Sequence, residues 1–180
     1  MQIKLYIPNK IYKSIYDIDY YSLKNMNKDI LLFDVDNTLM SYLENNPSDK
    51  LIDLFNKLND LGFKTLLISN NNKTRVGNIK KVLNCFDAFY KLNKPCVYKL
   101  NKLIKQKEFD LNNIVLIGDQ MLTDIYCGNK IGVFSILVKS IDRSSEHWYT
   151  TINRKREKRI INKIKDIDNN IYQQIVDLYK

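Results

Sequence analysis

This chain of 180 residues has no apolar stretch approaching the ~20 residues needed to cross a bilayer. Its N-terminus carries Lys4, Lys10 and Lys13 without an apolar core or a small-residue cleavage site. Both absences point to a soluble or peripheral protein of the cytoplasm. Cysteine is scarce too. Cys85, Cys96 and Cys127 are odd in number, scattered, and form no C-x-x-C pair, which argues against a zinc site or a disulfide framework and suits reduced thiols. Arginine occupies only five positions and histidine one, His147. The 12 tyrosines are dispersed rather than set in an RNP-like pattern, so no RNA-stacking platform is indicated. Acidic residues are outnumbered 29 to 20, a net charge of +9. That balance suits an anionic partner, either a membrane surface or nucleic acid. A composition rich in Lys, Asn, Ile and Tyr also explains it as the coding bias of an AT-rich genome, with no binding role.

What is present reads as one α/β domain over residues 1–180: 44% of residues are apolar and 27% charged, ordinary values for a globular core of this size. Apolar runs at about 30–34, 64–69, 87–91, 114–118 and 133–138 read as strands. Helical spacing fills 49–61, 74–83 and 121–130, and Pro95 suits the first turn of a helix reaching about residue 107. Strands alternating with helices imply a parallel sheet with right-handed crossovers. Residues 1–28 are expected to form a turn and a short helix packed on a core of about 30–140.

The densest chemistry lies in Asp34-Val35-Asp36-Asn37-Thr38, directly after Ile30-Leu31-Leu32-Phe33. Residues i and i+2 of an extended chain point the same way, so both carboxylates could face one spot beyond the sheet. Carboxylates that close repel unless a cation neutralises them, and a hard divalent ion with oxygen ligands is the simplest remedy. A solvated turn rich in Asp, Asn and Thr is the alternative. Three further polar groups stand at strand ends: Ser69 with Asn70 and Asn71, Lys94 before Pro95, and Gly118-Asp119 followed by Asp124. Parallel sheets bind ligands at that edge. Each group alone has a structural explanation, Ser69 as a helix cap and Lys94 as a surface lysine; four in register do not share one easily.

This set, in this order, resembles the haloacid dehalogenase (HAD) superfamily of phosphotransferases over roughly residues 30 to 140. Asp34, Asp36 and Thr38 match the first motif, Ser69 the second, Lys94 the third, and Gly118-Asp119 with Asp124 the fourth. The flanks Ile7-Pro8, Ser14 through Asp19, Gly128 through Gly132, Ile136-Leu137-Val138, and Ile152-Asn153-Arg154 followed by Glu157 resemble the YqeG-type, subfamily IIIA phosphatases. That group is similar to the phosphatidylglycerophosphate phosphatases of mitochondria and plastids. The tail past about residue 160 carries no such resemblance.

The resemblance implies a Rossmann-like three-layer sandwich with a central parallel sheet of about five strands. It implies Asp34 as nucleophile, forming an aspartyl phosphate, and Asp36 as general acid and base. Mg²⁺ would be held by the Asp34 carboxylate, the Asp36 backbone carbonyl and Asp119. Lys94 would neutralise the phosphoryl oxygens and restrain Asp34, while Ser69 and the amide of Asn70 would hydrogen-bond them. Thr38 would fix the motif loop, and Asp124 would support the lysine or a metal-bound water. His147 is not needed for this chemistry and is expected to pack near the C-terminal region, beside Trp148 and Tyr149. Many HAD enzymes insert a cap between the first and second motifs or the second and third. Both gaps here hold only one helix and one strand, so no large cap is expected and the site should be open to a bulky substrate.

Ile160, Ile164, Ile167, Ile171, Ile175 and Leu178 recur at helical steps, so 154–180 reads as one long helix with a basic start. Docking of that stripe on the domain is expected; a basic amphipathic helix on an anionic bilayer and self-association are the alternatives. For function, the sequence points to a Mg²⁺-dependent phosphomonoesterase with phosphatidylglycerophosphate as substrate. A phosphatase for a nucleotide or sugar phosphate and a basic RNA- or ribosome-binding module are the alternatives. Lys73 and Arg75 could read the rest of an anionic substrate or simply be solvated.

Overall fold

The protein is described by a computed structural model covering residues 2–144 and 148–180. His147 lies outside the described residues, as do the side chains of Trp148 and Tyr149. Six parallel strands form one sheet: β1 (Lys10–Tyr12), β2 (Ile30–Asp34), β3 (Lys64–Ile68), β4 (Asp87–Phe89), β5 (Ile114–Gly118) and β6 (Phe134–Val138), in the order β1-β6-β5-β2-β3-β4. Helices α1 (Tyr20–Asn25), α2 (Asp49–Asp60), α3 (Lys73–Leu83), α4 (Tyr98–Gln106) and α5 (Tyr126–Ile131) cover its faces. Only α2 separates β2 from β3 and only α3 separates β3 from β4, so no cap is inserted at either gap.

The central strands are continuous apolar runs because both faces are covered. Every residue of β2 and β5 is buried. Alternation along β2 splits the core in two. Leu31 and Phe33 pack with Leu51, Phe55, Val76 and Ile79 of α2 and α3, whereas Ile30 and Leu32 pack with Leu100, Leu103 and Ile104 of α4. The strand order reverses at β2, which has β3 on one side and β5 on the other. The two best-buried strands therefore deliver their ends to the crevice where ligands bind in such sheets.

Two sequence expectations are corrected, and the expected parallel sheet of about five strands gains a sixth at its edge. Lys10–Tyr12 joins the edge beside β6, anchored by the Asn9 N–H donating to the Ser135 carbonyl at 2.9 Å and the Ser135 N–H to the Asn9 side chain at 2.8 Å. The helix after Pro95 begins only at Tyr98, because residues 93–96 make a turn closed by the Cys96 N–H on the Asn93 carbonyl at 2.9 Å. The C-terminal segment is two helices, α6 (Trp148–Ile164) and α7 (Asn169–Leu178). The chain turns at residues 165–168, where the Asp168 side chain caps α7 by accepting from the Ile171 N–H at 2.9 Å.

Breaking the helix folds the isoleucine stripe onto the protein. Ile160, Ile161, Ile164, Ile175 and Leu178 are buried with Met121, Ile125 and Leu137. Ile167, in the turn, is half exposed. Docking on the core, rather than on a bilayer, is thus what the stripe does. Among the described residues no helix is long and apolar enough to cross a membrane. Each of those side chains contributes about 1.5–3 kcal/mol by burial. Deletion of residues 160–180 should therefore collapse soluble yield and lower activity on soluble and lipid phosphate esters together. A truncated protein with an unchanged thermal midpoint would contradict this packing.

Candidate active site

The β2 strand ends at Asp34, and the chain then turns sharply. Asn37 adopts a left-handed conformation, φ 65°, which asparagine tolerates, and its N–H bonds the Met40 carbonyl at 2.7 Å. That turn folds Thr38 back under the strand end, where its hydroxyl lies 3.2 Å from Asp34 Oδ2 and 3.3 Å from Asp119 Oδ1. The Lys94 ammonium reaches the same place from the turn before α4. It donates to Asp34 Oδ1 at 2.6 Å and to Asp124 Oδ1 at 2.7 Å, all three residues being buried. Asn70 clamps the lysine's backbone: its side chain accepts from the Lys94 N–H at 2.7 Å and donates to the Lys94 carbonyl at 2.9 Å.

Asp124 sits in a π-helical turn, Met121–Ile125, that leads into α5. Its carboxylate lies over Gly118, where an added Cβ would come within 2.4 Å of the Asp124 side chain. A residue larger than glycine before Asp119 would displace Asp124 from the lysine. Asp119 is wholly buried and its Oδ2 is fully occupied, accepting from Ser140 Oγ at 2.8 Å and from Arg154 Nη2. Arg154 Nη1 also donates to the Asp119 carbonyl at 2.9 Å and to Glu157 at 3.1 Å, and Glu157 in turn accepts from the Leu122 N–H at 3.2 Å. The first turns of α6 are thereby tied into the site.

Carboxylate oxygens of Asp34, Asp119 and Asp124 lie within 4.8 Å of one another. The Asp36 side chain is not with them. It turns toward α3, where Arg75 Nε donates to Oδ1 at 2.8 Å and Ser69 Oγ stands 3.3 Å from Oδ2. Of the three residues expected to hold a metal, Asp34 and Asp119 bring carboxylates together; Asp36 could contribute only its backbone carbonyl, and Asp124 replaces it in the carboxylate cluster. After β3, Asn70 lines the cleft with its side chain committed to Lys94, while Ser69 is buried with its hydroxyl donating to Asp36 Oδ2 at 3.3 Å.

Charge in this space does not balance. Among the described residues five buried carboxylates, Asp34, Asp36, Asp119, Asp124 and Glu157, face three cations, Lys94, Arg75 and Arg154. Burial accordingly pushes the Asp34 carboxyl well above the usual carboxylate range, against the pull of Lys94, and raises Asp124 and Glu157 too. For Lys94 burial disfavours the ammonium, but Asp124 and Asp34 outweigh it and hold the lysine charged. Among the described residues an oxygen-only donor set, with two more acidic groups than cations around it, fits a hard divalent cation such as Mg²⁺.

Arg154, Glu157 and Ser140 were not among the expected site residues. The available signal was an arginine three residues before a glutamate within an otherwise lysine- and arginine-rich run. Since Arg154 and Ser140 fix Asp119 Oδ2 and leave Oδ1 facing the cluster, Arg154→Met should weaken Mg²⁺ binding by about 10–100-fold. Calorimetric titration checks this directly, and unchanged affinity would contradict the orienting role.

A cleft of about 350 Å³ opens over these groups, lined by Asp34, Asp36, Asn70, Lys94, Gln120 and Thr123 among others. A larger cavity of about 410 Å³ lies behind the motif loop, between Tyr16 and Ile141, but none of the four aspartates lines it.

Residues 91–167 match the HAD-hydrolase-like family. A protein of Bacillus subtilis (strain 168) named "Probable phosphatase YqeG" is 34% identical over 162 residues, spanning 90% of this chain and 93% of its own. Among solved structures, a hydrolase from Streptococcus pneumoniae TIGR4 superposes with a TM-score of 0.51 at 15% identity, covering 64% of this chain and 95% of its own. The cobalt-bound deoxy-D-mannose-octulosonate 8-phosphate phosphatase of Haemophilus influenzae gives 0.50 at 14% identity, with 77% and 90% covered. At such identities these two establish a shared fold.

Proposed function

We propose, from the premise that this chain belongs to the HAD-like hydrolases and among them to the YqeG-type phosphatases, that it is a Mg²⁺-dependent phosphomonoesterase acting through an aspartyl phosphate on Asp34. The observation that carries this reading is the buried Asp34–Lys94–Asp124 bridge at the end of β2, beside Asp119 and below an open cleft.

Lys94 pins Asp34 through one oxygen and offsets the charge of an incoming phosphoryl group. The Asp34 carboxylate attacks phosphorus, and the bond to the leaving oxygen breaks with its electron pair. Asp36 supplies the proton that oxygen needs, then takes one from the water that attacks the phosphoenzyme, which releases phosphate and restores the Asp34 carboxylate. Ser69, at the tip of β3, offers a hydroxyl to the phosphoryl oxygens. Asp34, Asp119 and the Asp36 carbonyl would hold Mg²⁺, which when bound lowers the repulsion between the nucleophile and its dianionic substrate. Asp124 and Thr38 position these groups rather than react.

For substrate we favour phosphatidylglycerophosphate. The family resemblance, the absence of an inserted cap and a surface of net charge +9 support an anionic phospholipid approached from the membrane surface by a cytoplasmic protein. With the isoleucine stripe buried, contact would rest mainly on exposed lysines and arginines and weaken with salt. The test is hydrolysis of lipid and soluble phosphomonoesters, each with Mg²⁺ and with chelator. Preference for phosphatidylglycerophosphate in vesicles is the expected result. Faster turnover of a nucleotide or sugar phosphate would replace the substrate and keep the chemistry, whereas no hydrolysis of any ester would remove both.

A further inference from the structure

We propose that Arg75 is a positioning residue for the reaction, holding Asp36 in the attitude from which it delivers a proton to the leaving oxygen. The inference rests on Asp36 being the general acid and adds how it is aimed. Arg75 stands in the first turn of α3, where a cation opposes the helix dipole, so helix stability does not explain it. All three guanidinium nitrogens are committed. Nε donates to Asp36 Oδ1 at 2.8 Å, Nη1 to the Glu44 carbonyl at 2.8 Å and Nη2 to the Ser41 carbonyl at 2.9 Å. The two carbonyls fasten the fork to the loop that follows the motif, so the group cannot follow Asp36 elsewhere. Among the described residues the other oxygen of Asp36 has only longer contacts, 3.3 Å to Ser69 Oγ and 3.4 Å to Asn71 Nδ2. Arg75 is thus the tightest constraint on the acid. Both side chains are nearly dry, 15% and 8% exposed, so the pair is neither a solvated ion pair nor a free anion receptor.

The residue type is informative in its own right. Basic positions in this chain are overwhelmingly lysine, with arginine at only five of 29. A lysine ammonium is a point charge and cannot make three fixed bonds in one plane. In the step itself Arg75 forms and breaks no bond. As Asp34 bonds to phosphorus and the P–O bond gives its electron pair to the leaving oxygen, the proton on the Asp36 carboxyl moves to that oxygen; Arg75 sets its direction.

Leaving groups of different basicity separate aiming from folding. An alkoxide needs the proton, while 2,4-dinitrophenolate departs without it. The quantity to measure is kcat/KM, which runs through P–O cleavage, for an alkyl phosphomonoester and for 2,4-dinitrophenyl phosphate. The alkyl ester is whichever of glycerol 3-phosphate and phosphatidylglycerophosphate in detergent micelles is turned over faster. General acid catalysis contributes about 10²–10⁴-fold. Arg75→Met should lose about 100-fold on the alkyl ester and less than about 10-fold on the activated one. Arg75→Lys, which keeps the charge without the fork, should show the same selectivity at smaller size and carries the test if Arg75→Met does not fold. Asp36→Asn sets the benchmark, and adding Arg75→Met to it should deepen the selectivity no further. Equal losses on both esters, or an unchanged ratio, in a folded Arg75 variant would overturn the inference. If Asp36→Asn itself fails to discriminate the esters, the general-acid reading falls instead.

Discussion

Asp34→Asn is expected to cut turnover by about 10⁴-fold or more, without unfolding the protein. An amide cannot displace the leaving oxygen to form an acyl phosphate, and no other carboxylate stands where Asp34 does. Asp124 shares the same lysine but is held over Gly118 by the Gln120 N–H at 3.2 Å. Stability should hold because burial raises the Asp34 carboxyl, so its ionisation costs the metal-free fold free energy at neutral pH. A neutral amide removes that cost. In chelator the thermal midpoint of the variant should equal or exceed that of the wild type. Near-normal turnover in a folded variant would contradict the assignment.

Removing the divalent ion should have an effect of similar size. With Asp34, Asp119 and Asp124 clustered and two negative charges unmatched, chelation should reduce hydrolysis to background, and Mg²⁺ should restore it better than Zn²⁺. Binding should also register without turnover. At about 100 times its dissociation constant, Mg²⁺ adds about 2.7 kcal/mol to folding. For a chain of this size that raises the thermal midpoint by roughly 5–10 °C. Asp119→Asn should lose most of that shift. Full activity after rigorous metal removal, or a midpoint indifferent to Mg²⁺, would contradict the metal site.

Strand ends were the legible part of this sequence. Asp34, Ser69 and Asp119 each stand at the end of an apolar run that a parallel strand buried on both faces cannot hide, whereas Lys94 follows the shorter, half-buried β4. Their tips then meet because the sheet's topology brings them together. Lys10–Tyr12 was missed for the opposite reason: three residues with one aliphatic side chain carry no pattern, and the pairing with β6 spans over a hundred residues. The C-terminal helix was read as unbroken because isoleucine spacing continues through the turn at 165–168. Only Asp168, a helix cap, marks the stop.

The sequence offers Arg75 only as a substrate-facing or solvated cation, and does not mark Arg154 as a site residue, for a physical reason. Both lie on helices amid lysines, and a charged residue's sequence neighbours do not reveal whether its fork is buried against an acid. Their type was the available hint, since arginine is scarce in this chain and suits fixed, planar pairing. Asp36 illustrates the same gap. Its spacing from Asp34 suggested two carboxylates facing one point, but the turn at Asn37 carries its side chain to Arg75 instead.

The covalent intermediate is the most direct test of the account. The protein is mixed with substrate and Mg²⁺, quenched in acid during turnover and reduced with borohydride, which converts an acyl phosphate to the alcohol. Peptide mass spectrometry then locates the product. The account predicts homoserine at position 34, absent when substrate is omitted and absent in Asp34→Asn. Reduction at another carboxylate, or none in a sample quenched while turning over saturating substrate, would contradict it.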